Sequence, residues 1–216
     1  MNTEFARLAN DAAKVGTSGR WDTVIASIKF LAQNPGPAND WWVHVFGGLC
    51  CQTFSEYLAL KRTYETKQHG DVALLAWRAR NLLELWVWVI YCTKGRENAR
   101  RLSQQALSDG IESLEGPYKR VGTAAGECGI GEQFGLSYKM LSKLAHPTAT
   151  QIVAAPNEAR EALQRDNLYG EGCRFFSGAF NALERELLAK TYDPVGRVIV
   201  NKYGSQRDEE EVTVHG

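Results

Sequence analysis

The chain has 216 residues, with 25 basic and 25 acidic side chains, 44% hydrophobic and 10% aromatic residues. That apolar content can bury a core of moderate size and excludes global disorder. The neutral balance argues against a protein whose main work is wrapping nucleic acid or coating anionic lipid, since both need a basic excess, and leaves room for a local basic patch.

The opening segment, MNTEFARLANDAAKVG, carries Glu4 and Asp11 and has no apolar stretch of the kind a secretory leader shows. The longest apolar run, Leu85 to Cys92, falls far short of the roughly 20 residues a membrane-spanning helix needs. Five cysteines are an odd number without zinc-like spacing, and adjacent Cys50 and Cys51 point in different directions on a helix. Reduced, buried thiols of a cytoplasmic protein are expected.

Helical spacing of apolar residues recurs along the chain, and no strand-like alternation precedes residue 195. Phe5, Leu8, Ala12 and Val15 make a first amphipathic stripe. Trp21, Val24, Ile25, Ile28 and Leu31 make a second, closed by Asn34-Pro35-Gly36-Pro37. Asn39 or Asp40 then caps a long helix bearing Trp42, Phe46, Leu49, Phe54, Tyr57 and Tyr64, ended by Gln68-His69-Gly70. Gly47 and Gly48 weaken that helix midway and suggest close approach of a neighbour.

Asp71 begins the most apolar helix, which runs to about Cys92 and is hydrophobic all round in its second half. It is expected to be the central, most buried element, broken by Lys94-Gly95. A polar helix follows from Arg96 to about Leu114, then a short one from Pro117 to Glu127 and a glycine-rich turn at Gly126, Gly129 and Gly131. Phe134, Tyr138, Leu141 and Ala145 mark a helix ending at His146, and Thr148 to Pro156 reads as a loop or short turn. The last long helix carries Phe176, Phe180, Leu183 and Leu187 and is expected to end at Asp193-Pro194. The fold expected is a single all-α multi-helix bundle over residues 1–194, with a central helix near 71–92 and a flexible tail over 195–216.

Two segments carry the chemistry. In RARNLLELWVWVIYC, residues 78–92, Arg80 and Glu84 sit inside an apolar helix at a spacing that lets guanidinium and carboxylate meet. Taken out of water, such charges cost several kcal/mol each unless hydrogen-bonded, so they need partners. The pair is either solvated at the helix entry, part of a buried structural network, or part of a working site. In YKMLSKLAHPTA, residues 138–149, Pro147 disfavours helical geometry at the residue before it and so places His146 at the helix end. An imidazole there serves as a C-terminal cap, a general acid or base, or a dimer contact. His146, Arg80 and Glu84 are the candidate catalytic residues, with Asn81, Trp88, Tyr91, Lys139 and Ser142 as candidate binding residues around them. No cluster has metal spacing, and no HExxH, EF-hand loop, P-loop lysine or GxSxG is present, so neither metal nor cofactor is expected.

The motif R-x-x-L-E-L of residues 80–85, followed by an aromatic-rich helix, and Y-x-x-L-S-x-x-x-H-P of residues 138–147 resemble bacterial helical-bundle proteins of unknown function. More distantly they are similar to the HEPN (higher eukaryote and prokaryote nucleotide-binding) and abortive-infection-type families, over roughly residues 40–150. The resemblance implies a helical bundle that pairs as a homodimer in a bacterial defence or stress context. For its ribonuclease members it implies a histidine matching His146, with a basic residue a few positions earlier. No arginine stands there; Lys139, with six residues between, is the basic residue at that spacing. The function expected is a non-catalytic bundle that self-associates or binds a protein partner. The alternative is a metal-independent ribonuclease in which His146 acts as general acid or base and Arg80 or Lys139 steadies the phosphate charge.

Overall fold

The computed structural model describes residues 41–66, 71–109, 119–146 and 158–212, which form helices and the turns between them, with no strand among the described residues. In chain order the helices are α1 (Trp41–Thr66), α2 (Asp71–Thr93), α3 (Arg96–Asp109), α4 (Val121–Glu127), α5 (Gly131–Ala145) and α6 (Glu158–Val212). The all-α bundle expected from the sequence is thus the fold. The stripes at residues 5–15 and 21–31, the turn at 68–70 and the connection at 148–156 lie outside the described residues.

The centre is α2, as its composition requires. Leu75, Ala76, Ala79, Leu82, Leu83, Val87 and Val89 are all completely buried. Each large side chain among them contributes about 1.5–3 kcal/mol relative to exposure. Burial therefore begins well before Leu85, which is itself only half-buried. Alanines at 76 and 79 leave room for neighbouring backbones at that level.

Contacts fix the directions of the neighbours. Glu56 of α1 meets Arg78 of α2 across a short connection, so the two form an antiparallel hairpin. On α6, Phe176 packs edge-on to Phe54 and stacks on Tyr57 at 4.0 Å, while Tyr169 stacks on Tyr64 at 4.1 Å. Numbers rising on one helix as they fall on the other make α6 antiparallel to α1 and parallel to α2. At its C-terminal end α2 is tied to α4 by Lys94 Nζ, which donates to the Cys128 and Glu127 carbonyls at 2.9 and 3.3 Å. Farther back, Arg80 of α2 lies over the Tyr138 ring of α5, so α5 runs antiparallel to α2.

Glycine decides how closely α6 packs. A Cβ on Gly178 would stand 2.6 Å from Trp86 Nε1, and one on Gly172 would collide with Leu60. The close approach expected at Gly47–Gly48 is not found at Gly48, where a Cβ would meet open space. The glycine-rich turn is a corner between helices: Gly129 adopts φ of 77°, and a Cβ on Gly131 would lie 3.1 Å from Gly126 Cα. Left-handed backbone at Gly129 and crowding at Gly131 explain those glycines without any bound phosphate.

Two boundaries differ from expectation. Arg120 is extended (φ −76°, ψ 145°), so α4 begins at Val121 rather than Pro117. The last helix does not end at Asp193-Pro194; it continues to Val212, taking in most of the segment set apart as a tail. An internal proline removes one N–H and costs about 3 kcal/mol relative to alanine, which weakens a helix without obliging it to end.

Gly178→Ala is expected to destabilise the fold by about 1–3 kcal/mol, because the Trp86 indole must move within a packed core. Thermal unfolding should show a Tm lower by a few degrees, partly recovered by adding Trp86→Phe. Gly48→Ala, in open helical space, should instead hold or raise Tm, since it removes backbone freedom from the unfolded chain.

Candidate functional site

At about 100° per residue, positions 78 and 80 of α2 point to nearly opposite sides of the helix. The consequence is two separate polar clusters, one facing α1 and one facing α5.

On the α1 side, Arg78 Nη1 donates to both carboxylate oxygens of Glu56, at 3.0 and 3.1 Å. Asn81 adds an amide donor to Glu56 Oε1 at 3.3 Å. The Arg78 guanidinium also covers the Trp77 ring, 4.6 Å from its centroid. Both partners are largely shielded, with side-chain exposures of 26% and 15%. On the α5 side, Arg80 Nε lies 3.3 Å from Glu84 Oε1, with exposures of 21% and 29%. This is an ion pair without directed hydrogen-bond geometry, since the shielded Nε makes no hydrogen bond. The Arg80 guanidinium lies 5.2 Å from the Tyr138 ring centroid. Burial pushes the Glu84 carboxyl above its usual range, and the Arg80 charge only partly offsets that rise.

His146 ends α5 as the sequence requires: its backbone is extended (φ −109°, ψ 142°) and its N–H donates to the Ser142 carbonyl at 3.3 Å. The side chain is exposed. It stands eight residues beyond Tyr138, roughly 12 Å along the helix axis and away from the level of Arg80. Among the described residues no hydrogen bond or ion pair links the His146 imidazole to Arg80 or Glu84. The structure thus brings Arg80 and Glu84 together and leaves His146 apart from both.

The remaining candidates divide in the same way. Asn81 belongs to the Glu56 cluster, and Lys139 is exposed. The Ser142 hydroxyl is shielded and has no hydrogen-bond partner. Trp88 is half-buried and meets Tyr91 edge-on, with centroids 5.9 Å apart. Tyr91 is buried, with the Lys119 ammonium 4.7 Å from its ring centroid. Lys119 in turn binds both oxygens of Glu127 at 2.7 Å, joining the segment before α4 to that helix's end. Sequence reasoning missed Glu56 and Arg78. A carboxylate among Phe54, Tyr57 and Leu60 was the available signal, but spacing rules within one helix do not find partners on another.

Among the described residues, no group of three or more His, Cys, Asp or Glu is placed to hold a metal ion. No helix there is long and apolar enough to cross a membrane. Comparison with family models, with curated proteins and with solved structures finds no match to this chain.

Glu56→Ala should cost about 1–3 kcal/mol in denaturant unfolding, less than the ~3–5 for breaking a fully buried pair because Arg78 keeps some solvent. Adding Arg78→Met should restore most of the loss by removing the stranded charge. For Glu84, a carboxyl pKa raised on folding contributes stability that is present below the ordinary carboxylate pKa and lost as pH rises through the raised value. The stability of the wild type relative to Glu84→Gln should therefore increase as pH is lowered from neutral towards 4. A difference independent of pH would refute the burial argument.

Proposed function

We propose that this chain acts by association rather than by catalysis, binding its own copies or a protein partner through the outward strip of α2. The observation that carries this reading is the row Leu74, Trp77, Asn81, Glu84 and Trp88. At about 100° per residue these five fall within roughly 80° of one another on the helix. Leu74 and Trp77 are 41% and 40% exposed on a helix whose other sides are buried. A large aromatic, an aliphatic and mixed polar groups on one rigid helix face suit an interface centre, where tryptophan contributes disproportionately.

The arrangement of charge supports the same reading. Arg78 is engaged by Glu56 and Arg80 by Glu84, so neither guanidinium stands ready for a phosphate. Cleavage of an RNA backbone needs a general acid or base and a cation within reach of one phosphate. His146 and Arg80 are separated along α5 by about two helical turns. Thiols shielded at Cys50, Cys92 and Cys128 suit the reducing cytoplasm.

Total RNA incubated with the purified protein without added metal, from mildly acidic to neutral pH, should remain intact with wild type and His146→Ala alike. Cleavage by the wild type that His146→Ala abolishes at unchanged Tm would establish the ribonuclease reading in place of this one. Trp77→Ser, which gives up the Arg78 contact, should cost the monomer about 1–2 kcal/mol and leave it folded.

A further inference from the structure

We infer that the strip of α2 is covered by a second copy of the chain, whose α2 runs antiparallel about a twofold axis between positions 82 and 83. This rests on the association reading above and names its partner. The spacing of Leu74, Trp77, Asn81, Glu84 and Trp88 is three, four, three and four residues. That is the repeat of a helix–helix seam, in which side chains of facing helices interleave layer by layer. A twofold contact is self-complementary, so the four positions from Trp77 to Trp88 must match one another, with Leu74 lying outside the paired layers.

The antiparallel register supplies those matches. Trp77 lies opposite the partner's Trp88, and Asn81 opposite the partner's Glu84, with both layers repeated by symmetry. The Asn81 amide has two N–H groups; one donates to Glu56 Oε1 at 3.3 Å and the second can donate to the facing carboxylate. The two outer layers pair large aromatic surfaces, which prefer offset or edge-on contact. A parallel pairing would instead set each layer on itself and bring Glu84 against Glu84, like charge on like charge. A strongly basic or acidic partner has no comparable match, because the flanking arginines already carry carboxylates.

Sedimentation velocity of the full chain at micromolar concentration tests this directly. The expected mass is twice the 24.0 kDa of one chain. Trp77→Ser should weaken the dimer by about tenfold or more, the scale of losing a central aromatic anchor. Asn81→Ala, which removes the amide facing the partner's Glu84 without setting a charge beside Glu56, should weaken it by a smaller factor. Leu136→Ser, at a 68% exposed site on the outer side of α5, should change nothing. A chain that stays monomeric, or a dimer insensitive to Trp77→Ser, would each overturn the inference. Cleavage of RNA would overturn the functional reading but not this measurement, so the two failures are distinguishable.

Discussion

Burial of α2 from three sides at once is the constraint from which the other features follow. A helix packed against α1, α5 and α6 has little solvent in which to leave a charge, and a charge removed from water without a partner costs several kcal/mol. Arg78 and Arg80 nonetheless lie at the level where Ala76, Ala79, Leu82 and Leu83 are fully buried. Their spacing by two residues sends them to opposite sides, so one acid cannot serve both. Glu56 is supplied from α1 for the first, and Glu84, one turn along the same helix, for the second. The two pairs differ in kind. Arg78 makes aligned hydrogen bonds to a carboxylate from another helix and so fixes the α1–α2 register. Arg80 and Glu84 share one helix and add little to the placing of α5, where Tyr138 gives the guanidinium an aromatic face.

The same constraint explains the glycines of α6. Trp86 points from α2 into α6, and a helix bearing side chains there would be held away from it. Gly178 removes the obstruction, and the Trp86 and Phe175 rings come to 5.9 Å between centroids. Gly172 does the same for Leu60 of α1. Each glycine costs about 1 kcal/mol of helix propensity. That cost is offset where closer approach lets Leu60 bury fully and the Trp86 indole pack against the facing backbone. Gly48 has no such neighbour, and the structure gives no packing reason for it.

Much of this architecture was legible in the residues, and the parts that were not share a cause. Helical periodicity located α2 to within a residue and showed the apolar face of α5, and Lys94-Gly95 and His146-Pro147 marked their ends, because these are local properties of the backbone. Phe134, Leu141, Phe176, Phe180 and Leu183 are buried as their spacing required. What failed was non-local. The partner of Arg78 lies on another helix, 22 residues away in sequence. Whether His146 meets Arg80 and Glu84 depends on the pairing level of α2 and α5, which no pattern within either helix contains. Pro194 misled for a different reason: it biases the backbone against a helix, but flanking turns still form their own hydrogen bonds.

The interior pair and the outward strip are physically joined, which bears on how an interface could be specified here. Glu56 holds Arg78, and the Arg78 guanidinium covers Trp77 at 4.6 Å. Asn81, bonded to the same carboxylate, is the next member of the strip. A tryptophan on an exposed helix face ordinarily samples several rotamers, and fixing it on binding costs about 0.5–1.5 kcal/mol for a side chain of this freedom. A cation anchored from beneath restricts that freedom. The ion pair that neutralises a buried charge between α1 and α2 thereby also positions the aromatic group presented to solvent. Arg78, Trp77 and Asn81 thus form one connected set reached through Glu56 of α1, while Arg80 and Glu84 stand apart on the α5 side.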